Sequence, residues 1–301
     1  MNTPCNPMQP LLVILWNRLN RLNGFNHLVD HQLRSVGSLL ERVIEEWNEK
    51  KGIDLSDKLG LGTSLAITDL TGLTDEGWLC HYPTGVFNAF GEDYFGQGDD
   101  LLKRQFAWSI AQGYESFETY LKDVAATWLC EYPSKADANK VTCFNARLPK
   151  KNQPLTGFDY WRALLDGEYR GKRNAQVFRL LRELAPAIAS GEKQNNHHLD
   201  LVEWYQAVTS VRDSATHCSF VVGRGIDDSH LLQKKPYSDF FPCIIESGTV
   251  RLNMDLKNAE RGLGLFAEYA FLIFKCLSQS EGYEWHLTDT GWNVKGGGSD
   301  A

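Results

Sequence analysis

The stretch Phe106-Ala-Trp-Ser-Ile110-Ala-Gln-Gly113-Tyr-Glu-Ser-Phe117-Glu-Thr-Tyr-Leu121-Lys-Asp-Val124-Ala-Ala-Thr-Trp128 decides the fold class. Its apolar residues advance by alternating steps of four and three almost throughout. That spacing lays one stripe along a helix and suits a bundle or a partner helix. The spacing predicts a helix from about Leu101 to Cys130, ended by Tyr132-Pro133, because a residue before proline avoids helical geometry.

Outward from it, residues 8 to 50 read as another long helix. Leu33, Val36, Leu39, Leu40, Val43, Ile44 and Trp47 recur at three- and four-residue steps, which predicts one buried face. Residues 52 to 100 lose the period; Ser64 to Leu70 and Gly85 to Phe87 are candidate strands, and the stretch has no assigned role. Residues 131 to 172 read as a polar linker. A third helix is expected over 172 to 190, with Pro186 kinking its last turns, and a fourth opens at Asn196 or His197. Phe240 to Asp255 reads as a hairpin turning at Ser247-Gly248, and a last apolar helix covers about Asn258 to Ser280. The glycines at 296 to 298 mark a flexible tail.

Of 301 residues, 43% are hydrophobic and 23% charged, with nine Trp, as in a globular protein with a substantial core. The formal net charge of −7 argues against a protein that holds nucleic acid by overall charge, so any RNA contact must be local or brief. Seven cysteines contain no Cys-x-x-Cys pair, poor material for a disulfide framework or zinc knuckle, and point to a reducing cytoplasm. The first apolar run, Leu11 to Trp16, is short and follows no basic stretch, unlike a secretory signal. The run from Leu263 to Leu277 carries Glu268 and Lys275 and is too short to span a bilayer. A cytoplasmic protein without membrane contact is expected.

The sharpest local feature is Ser210-Val-Arg212-Asp-Ser-Ala-Thr-His217-Cys218. On one straight helix, Arg212 and His217 would point about 140° apart. Sharing a site then requires a bend or a second subunit. Alone, the pair is weak evidence, because a cap or core histidine and an exposed arginine occur together by chance in many proteins. Its position, at the end of a helix in a four-helix pattern and after the helix carrying Gln112 to Leu121, sharpens it.

Here the sequence resembles the HEPN superfamily, whose active members carry Arg-x4–6-His with a polar residue after the arginine, the place Asp213 fills. The resemblance covers residues 101 to 282. It implies a mainly α, HEPN-like helical bundle over 101–283 with a β-hairpin insertion; residues 1–100 stand outside it as an N-terminal extension of a long helix and short strands, and 284–301 as a flexible tail. It also implies a homodimer in which two motifs face each other, and RNA cleavage by a toxin or antiphage effector under an inhibitory or activating partner. Serine at position 219 departs from the subgroup that has tyrosine two residues after the histidine and is modified by a nucleotidyltransferase.

The residue types suit ribose-assisted cleavage. The RNA 2′-hydroxyl attacks the adjacent phosphorus. Histidine, with an ordinary pKa of about 6.5, moves the proton, and arginine holds two phosphoryl oxygens. No metal or other cofactor is required. Arg212 and His217 are thus the candidate catalytic pair, with Asp213 orienting the imidazole or balancing the arginine. Arg170, Lys172 and Arg173, with Arg179 and Arg182, form the densest basic stretch and are the candidate RNA-binding residues, although a solvated helix start explains them equally well. Glu115 and Glu118 lie within reach of the site but read more simply as surface.

Other features are weaker. His27 and His31 have a helical metal-pair offset without a third ligand. His197-His198 reads as a cap, and Gly223-x-Gly225 lacks the third glycine of a dinucleotide fingerprint. Cys218 reads as a buried thiol. The alternative to the enzyme is a catalytically silent helical domain that binds a partner protein or a nucleotide.

Overall fold

The computed structural model describes residues 6–52, 60–63, 66–73, 79–83, 87–132, 156–169, 175–217, 219–223 and 226–286. The chain is mainly α. Helix α1 (Gln9–Lys51) starts with proline in its first turn, where a missing N–H costs nothing. It stops at Gly52, whose φ of 60° lets its N–H reach the Asn48 carbonyl. Strands β1 (Gly60–Thr63), β2 (Ala66–Leu73), β3 (Leu79–Pro83) and β4 (Phe87–Phe90) follow, pairing antiparallel as β1–β4 and β2–β3. The two candidate strands of this region overlap β2 and β4; residues 64–65 and 85–86 lie outside the described residues.

Helix α2 (Gly91–Glu131) is the central element. It begins ten residues before the helix expected at Leu101, so residue 100 lies within it. Phe106, Ile110, Phe117, Leu121, Val124 and Trp128 are all buried, as the spacing predicts. Gly113 sits where the last helix crosses: a Cβ there would lie 2.8 Å from Leu263 Cδ2 and 3.1 Å from Phe266 Cε2. A Gly113→Leu variant should therefore lose about 1–3 kcal/mol from overpacking, measured by urea unfolding; unchanged stability would show that α2 and that helix are free to separate.

The first half of α1 packs into the same core through Met8, Leu12, Leu15 and Leu19, and Trp16 Nε1 donates to the Ala267 carbonyl at 3.2 Å. Buried Asn26 donates to Ser109 Oγ at 2.8 Å, fixing the level at which α1 and α2 meet. The second half departs from expectation. Val36, Leu39 and Trp47 are exposed, and Leu33, Leu40, Val43 and Ile44 only partly buried. Part of the cause lies opposite: the groove beside Leu33 and Gly37 is lined by Gly98, Asp99 and Leu102, and of these only Leu102 can cover an apolar side chain. Val36 and Leu39 fall on the outward side of the helix.

Helix α3 (Gly157–Tyr169) occupies part of the stretch read as linker. It lays Trp161, Leu164 and Leu165 inward and ties to α2 through Arg162–Asp123 at 2.6 Å. The expected third helix divides at Pro186 into α4 (Ala175–Leu184) and α5 (Ala187–Lys193), because proline has no N–H to continue the ladder. Helix α6 (Leu201–His217) follows, then β5 (Val221–Gly223), a 3-10 segment (Ile226–Gln233) and α7 (Lys235–Asp239). The expected hairpin is β6 (Cys243–Glu246) and β7 (Thr249–Leu252), with β5 on the free edge of β7. Ser247 (φ 49°) and Gly248 (φ 75°) both adopt the left-handed conformation that a tight two-residue hairpin turn needs. Helix α8 (Leu256–Glu281) begins with a reciprocal Asp255–Asn258 capping box and closes the core with Phe266, Tyr269, Ile273 and Phe274. Among the described residues, no helix is long and apolar enough to cross a membrane.

Candidate functional site at the end of helix α6

Helix α6 opens later than the sequence suggested. The Asn195 side chain accepts from the His197 and Leu199 N–H groups and holds a turn through His197-His198. Asp200 then caps the helix, accepting from Val202 N at 2.8 Å and Glu203 N at 3.1 Å. Trp204, Tyr205, Val208 and Val211 bury one face of α6, with Tyr205 stacked on Tyr114 of α2 at 5.3 Å. This packing brings Arg212 beside α2.

The Arg212 guanidinium is held by two carboxylates. Its Nε and Nη2 both donate to Glu115 Oε1, at 2.9 and 2.7 Å, and Nη1 donates to Asp213 Oδ1 at 3.0 Å. It also lies 5.8 Å from the centre of the Tyr114 ring. The hydrogen bond to Asp213 and then that to Glu115 push its pKa above the ordinary arginine value despite partial burial, so it is a fixed cation. A guanidinium has five N–H donors. Three are engaged here, and one on each Nη has no acceptor among the described residues. Both belong to a side chain that remains about a third exposed.

His217 is the last residue of α6 and is exposed, with no hydrogen-bond or ion-pair partner among the described residues. The helix runs unbroken from Arg212 to His217. The two side chains therefore diverge by about 140° and are separated by ~7.5 Å along the axis, and one chain does not close them into a single pocket.

Of the other candidates, Asp213 is on Arg212 and not on the imidazole. Glu115, read as surface, is the principal partner of Arg212, whereas Glu118 pairs with Lys122 at 2.6 Å. Arg170, Lys172 and Arg173 lie outside the described residues, as does Cys218. Arg179 pairs with Glu183, and Arg182 with Glu192. His27 stands 3.6 Å from Glu260.

Sequence reasoning missed a buried network behind α6. Glu192, only 2% exposed, accepts from Arg182 Nε at 2.7 Å and Nη2 at 2.9 Å and from the Tyr269 hydroxyl. Arg182 and Tyr269 also line a cavity of about 520 Å³ with Tyr205, Gln206, Lys234 and Tyr237. No local signal joins residues 10 and 77 positions apart. Nearby, burial pushes the Cys243 thiol up to about 12, while its Sγ donates to the Phe241 carbonyl at 3.2 Å. Alkylation of Cys243 by iodoacetamide at pH 8 should thus run roughly a thousandfold slower in the folded protein than in urea, since the thiolate is the reactive form. Peptide mapping by mass spectrometry reads this, and equal rates would contradict the burial.

Comparison with family models, with curated proteins and with solved structures finds no match for this chain. The functional reading therefore rests on the residues themselves.

Proposed function

We propose that this chain is a metal-independent endoribonuclease of the HEPN type, acting as a dimer, with His217 moving the proton and Arg212 stabilising the phosphoryl group. The observation that carries the reading is the exposed imidazole, without a partner among the described residues, at the end of the helix that presents a permanently charged, partly free guanidinium. An imidazole with no other hydrogen-bonding duty is available to a ribose hydroxyl or a leaving oxygen. The two unengaged Nη–H donors match two oxygens of one phosphoryl group.

In the reaction, the ribose 2′-oxygen bonds to phosphorus as its proton passes to an imidazole. The bond from phosphorus to the 5′-oxygen then breaks, and that oxygen takes up a proton. The products are a 2′,3′-cyclic phosphate and a 5′-hydroxyl. Divergence of the two side chains along α6 is the reason a second copy is required, each copy supplying the group the other lacks at a given phosphate. Asp213 fits a role in holding Arg212. RNA incubated with the purified protein in EDTA should be cut and should carry those two ends, identified by phosphatase and kinase sensitivity. Products bearing a 3′-hydroxyl and 5′-phosphate would refute the mechanism.

A second reading, a catalytically silent domain that binds a partner protein or a nucleotide, is favoured by one feature. Glu115 and Asp213 already neutralise Arg212, as expected of a structural ion pair. Intact RNA after prolonged incubation, with binding retained, would select it.

A further inference from the structure

The outward face of α1 carries an apolar pattern that stays exposed. Phe25, Leu28, Val36 and Leu39 are each 40–55% exposed. At ~100° per residue they fall within an arc of about 80°, a continuous apolar stripe. The Asn26–Ser109 bond sets the antiparallel level of α2, which puts exposed Trp108 alongside Phe25 and Leu28, and exposed Leu101 alongside Val36. Helix α8 packs on the opposite side, against Trp16 and Asn23. One side of the α1–α2 layer is thus core and the other an uncovered apolar face. Single exposed apolar side chains are ordinary; an aligned set of this size marks an interaction surface.

The polar residues of the same arc say what covers it. Arg18 and Arg21 stand at its N-terminal end, neither with a carboxylate partner among the described residues, and Glu46 stands at the other, paired with Lys50 at a loose 3.4 Å. Gln32 lies midway. Laid antiparallel against itself about Gln32, the stripe is self-complementary: Phe25 meets Leu39, Leu28 meets Val36, Arg18 meets Glu46, and Gln32 meets Gln32. A parallel arrangement would set Arg18 against Arg18 and Glu46 against Glu46. The length from Arg18 to Glu46 is roughly 42 Å at ~1.5 Å per residue. With a neighbouring helix ~9 Å away, the face offers on the order of 800 Å² per copy, the size typical of a stable interface.

We infer that this face binds a second copy of the chain, the two α1 helices antiparallel about a two-fold axis at Gln32. Such an interface is isologous, each contact occurring twice, and the paired glutamine amides fix its register as buried polar residues do in coiled coils. It lies apart from the end of α6 and is a separate contact from the pairing of α6 ends, which closes around a bound phosphate; without RNA it is the contact that holds two copies together, whether or not Arg212 and His217 cut RNA.

Sedimentation velocity over a micromolar concentration range tests it. The wild-type chain should sediment as a dimer. Leu28→Glu with Leu39→Glu should sediment as a monomer with unchanged circular dichroism, because both side chains are exposed within one copy, and its melting should no longer depend on protein concentration. Arg18→Glu alone and Glu46→Arg alone should each raise the dissociation constant about tenfold, as like charges are set opposed twice per dimer, and the double variant should restore it to within roughly threefold. A monomeric wild type overturns the inference, as does a dimer indifferent to Leu28→Glu with Leu39→Glu. Failure of the double charge reversal to rescue overturns the antiparallel pairing about Gln32.

Discussion

Replacing His217 with alanine should reduce RNA cleavage in EDTA by roughly 10²–10⁴-fold, the usual value of a positioned general acid or base. Arg212→Ala should reduce it by about 10²–10³-fold, the typical loss of one electrostatic donor to the transition state. His217 is exposed and has no hydrogen-bond or ion-pair partner among the described residues, so its variant should melt like the wild type. Arg212→Ala releases Glu115 and Asp213, both largely exposed, and should cost the fold little, since ion pairs at that exposure contribute ~0–1 kcal/mol. The two losses then report chemistry and not unfolding. Arg212→Lys separates the roles further: it keeps the charge but not the two-pronged donor, so it should recover only part of the activity. Glu115→Gln relaxes the hold on Arg212 without removing a hydrogen-bond acceptor and should leave cleavage equal to or above wild type. Cleavage unaltered in both alanine variants would remove Arg212 and His217 from the mechanism.

The largest loss of stability should come from Arg182→Met. Glu192 is almost fully buried, and the guanidinium supplies two of the three hydrogen bonds its carboxylate accepts among the described residues, the third coming from the Tyr269 hydroxyl. Breaking a buried pair by removing one partner typically costs about 3–5 kcal/mol, because the remaining charge stays desolvated. Replacing both partners, as Arg182→Met with Glu192→Leu, should recover most of the loss, since no uncompensated charge remains. Guanidinium unfolding of the three proteins measures the difference; a double variant no more stable than the single would show that Tyr269 and not the ion pair governs this junction. The pair joins α4 to α5, and Tyr269 joins both to α8, so the loss should also loosen the cavity wall beneath Tyr205 of α6.

These two predictions sit at opposite ends of what local pattern conveys. Arg212 and His217 are five residues apart, and their chemistry and shared helix were visible in one short stretch. That Glu115 holds Arg212 was not, because the two lie 97 positions apart and meet only where α6 packs on α2. The same distinction explains α3. Its 13 residues carry one apolar group, Trp161, Leu164 and Leu165, within a polar stretch, too brief a signal to separate from a linker.

The sequence by itself determined the long helices and the hairpin. A three- and four-residue spacing is a property of one helix turning on its own axis, and Ser247-Gly248 supplies backbone freedom where the turn needs it. Tertiary structure alone decided which helical faces are covered. Along α1, Leu12, Leu15 and Leu19 are buried in the core, whereas Phe25, Leu28, Val36 and Leu39 of the same helix stay exposed, and the groove beside Leu33 meets Gly98 and Asp99 next to Leu102. The reason is that burial depends on the neighbour's side chains at the same level of the bundle. The level is set by contacts such as Asn26–Ser109, made between residues 83 positions apart, which no local pattern encodes.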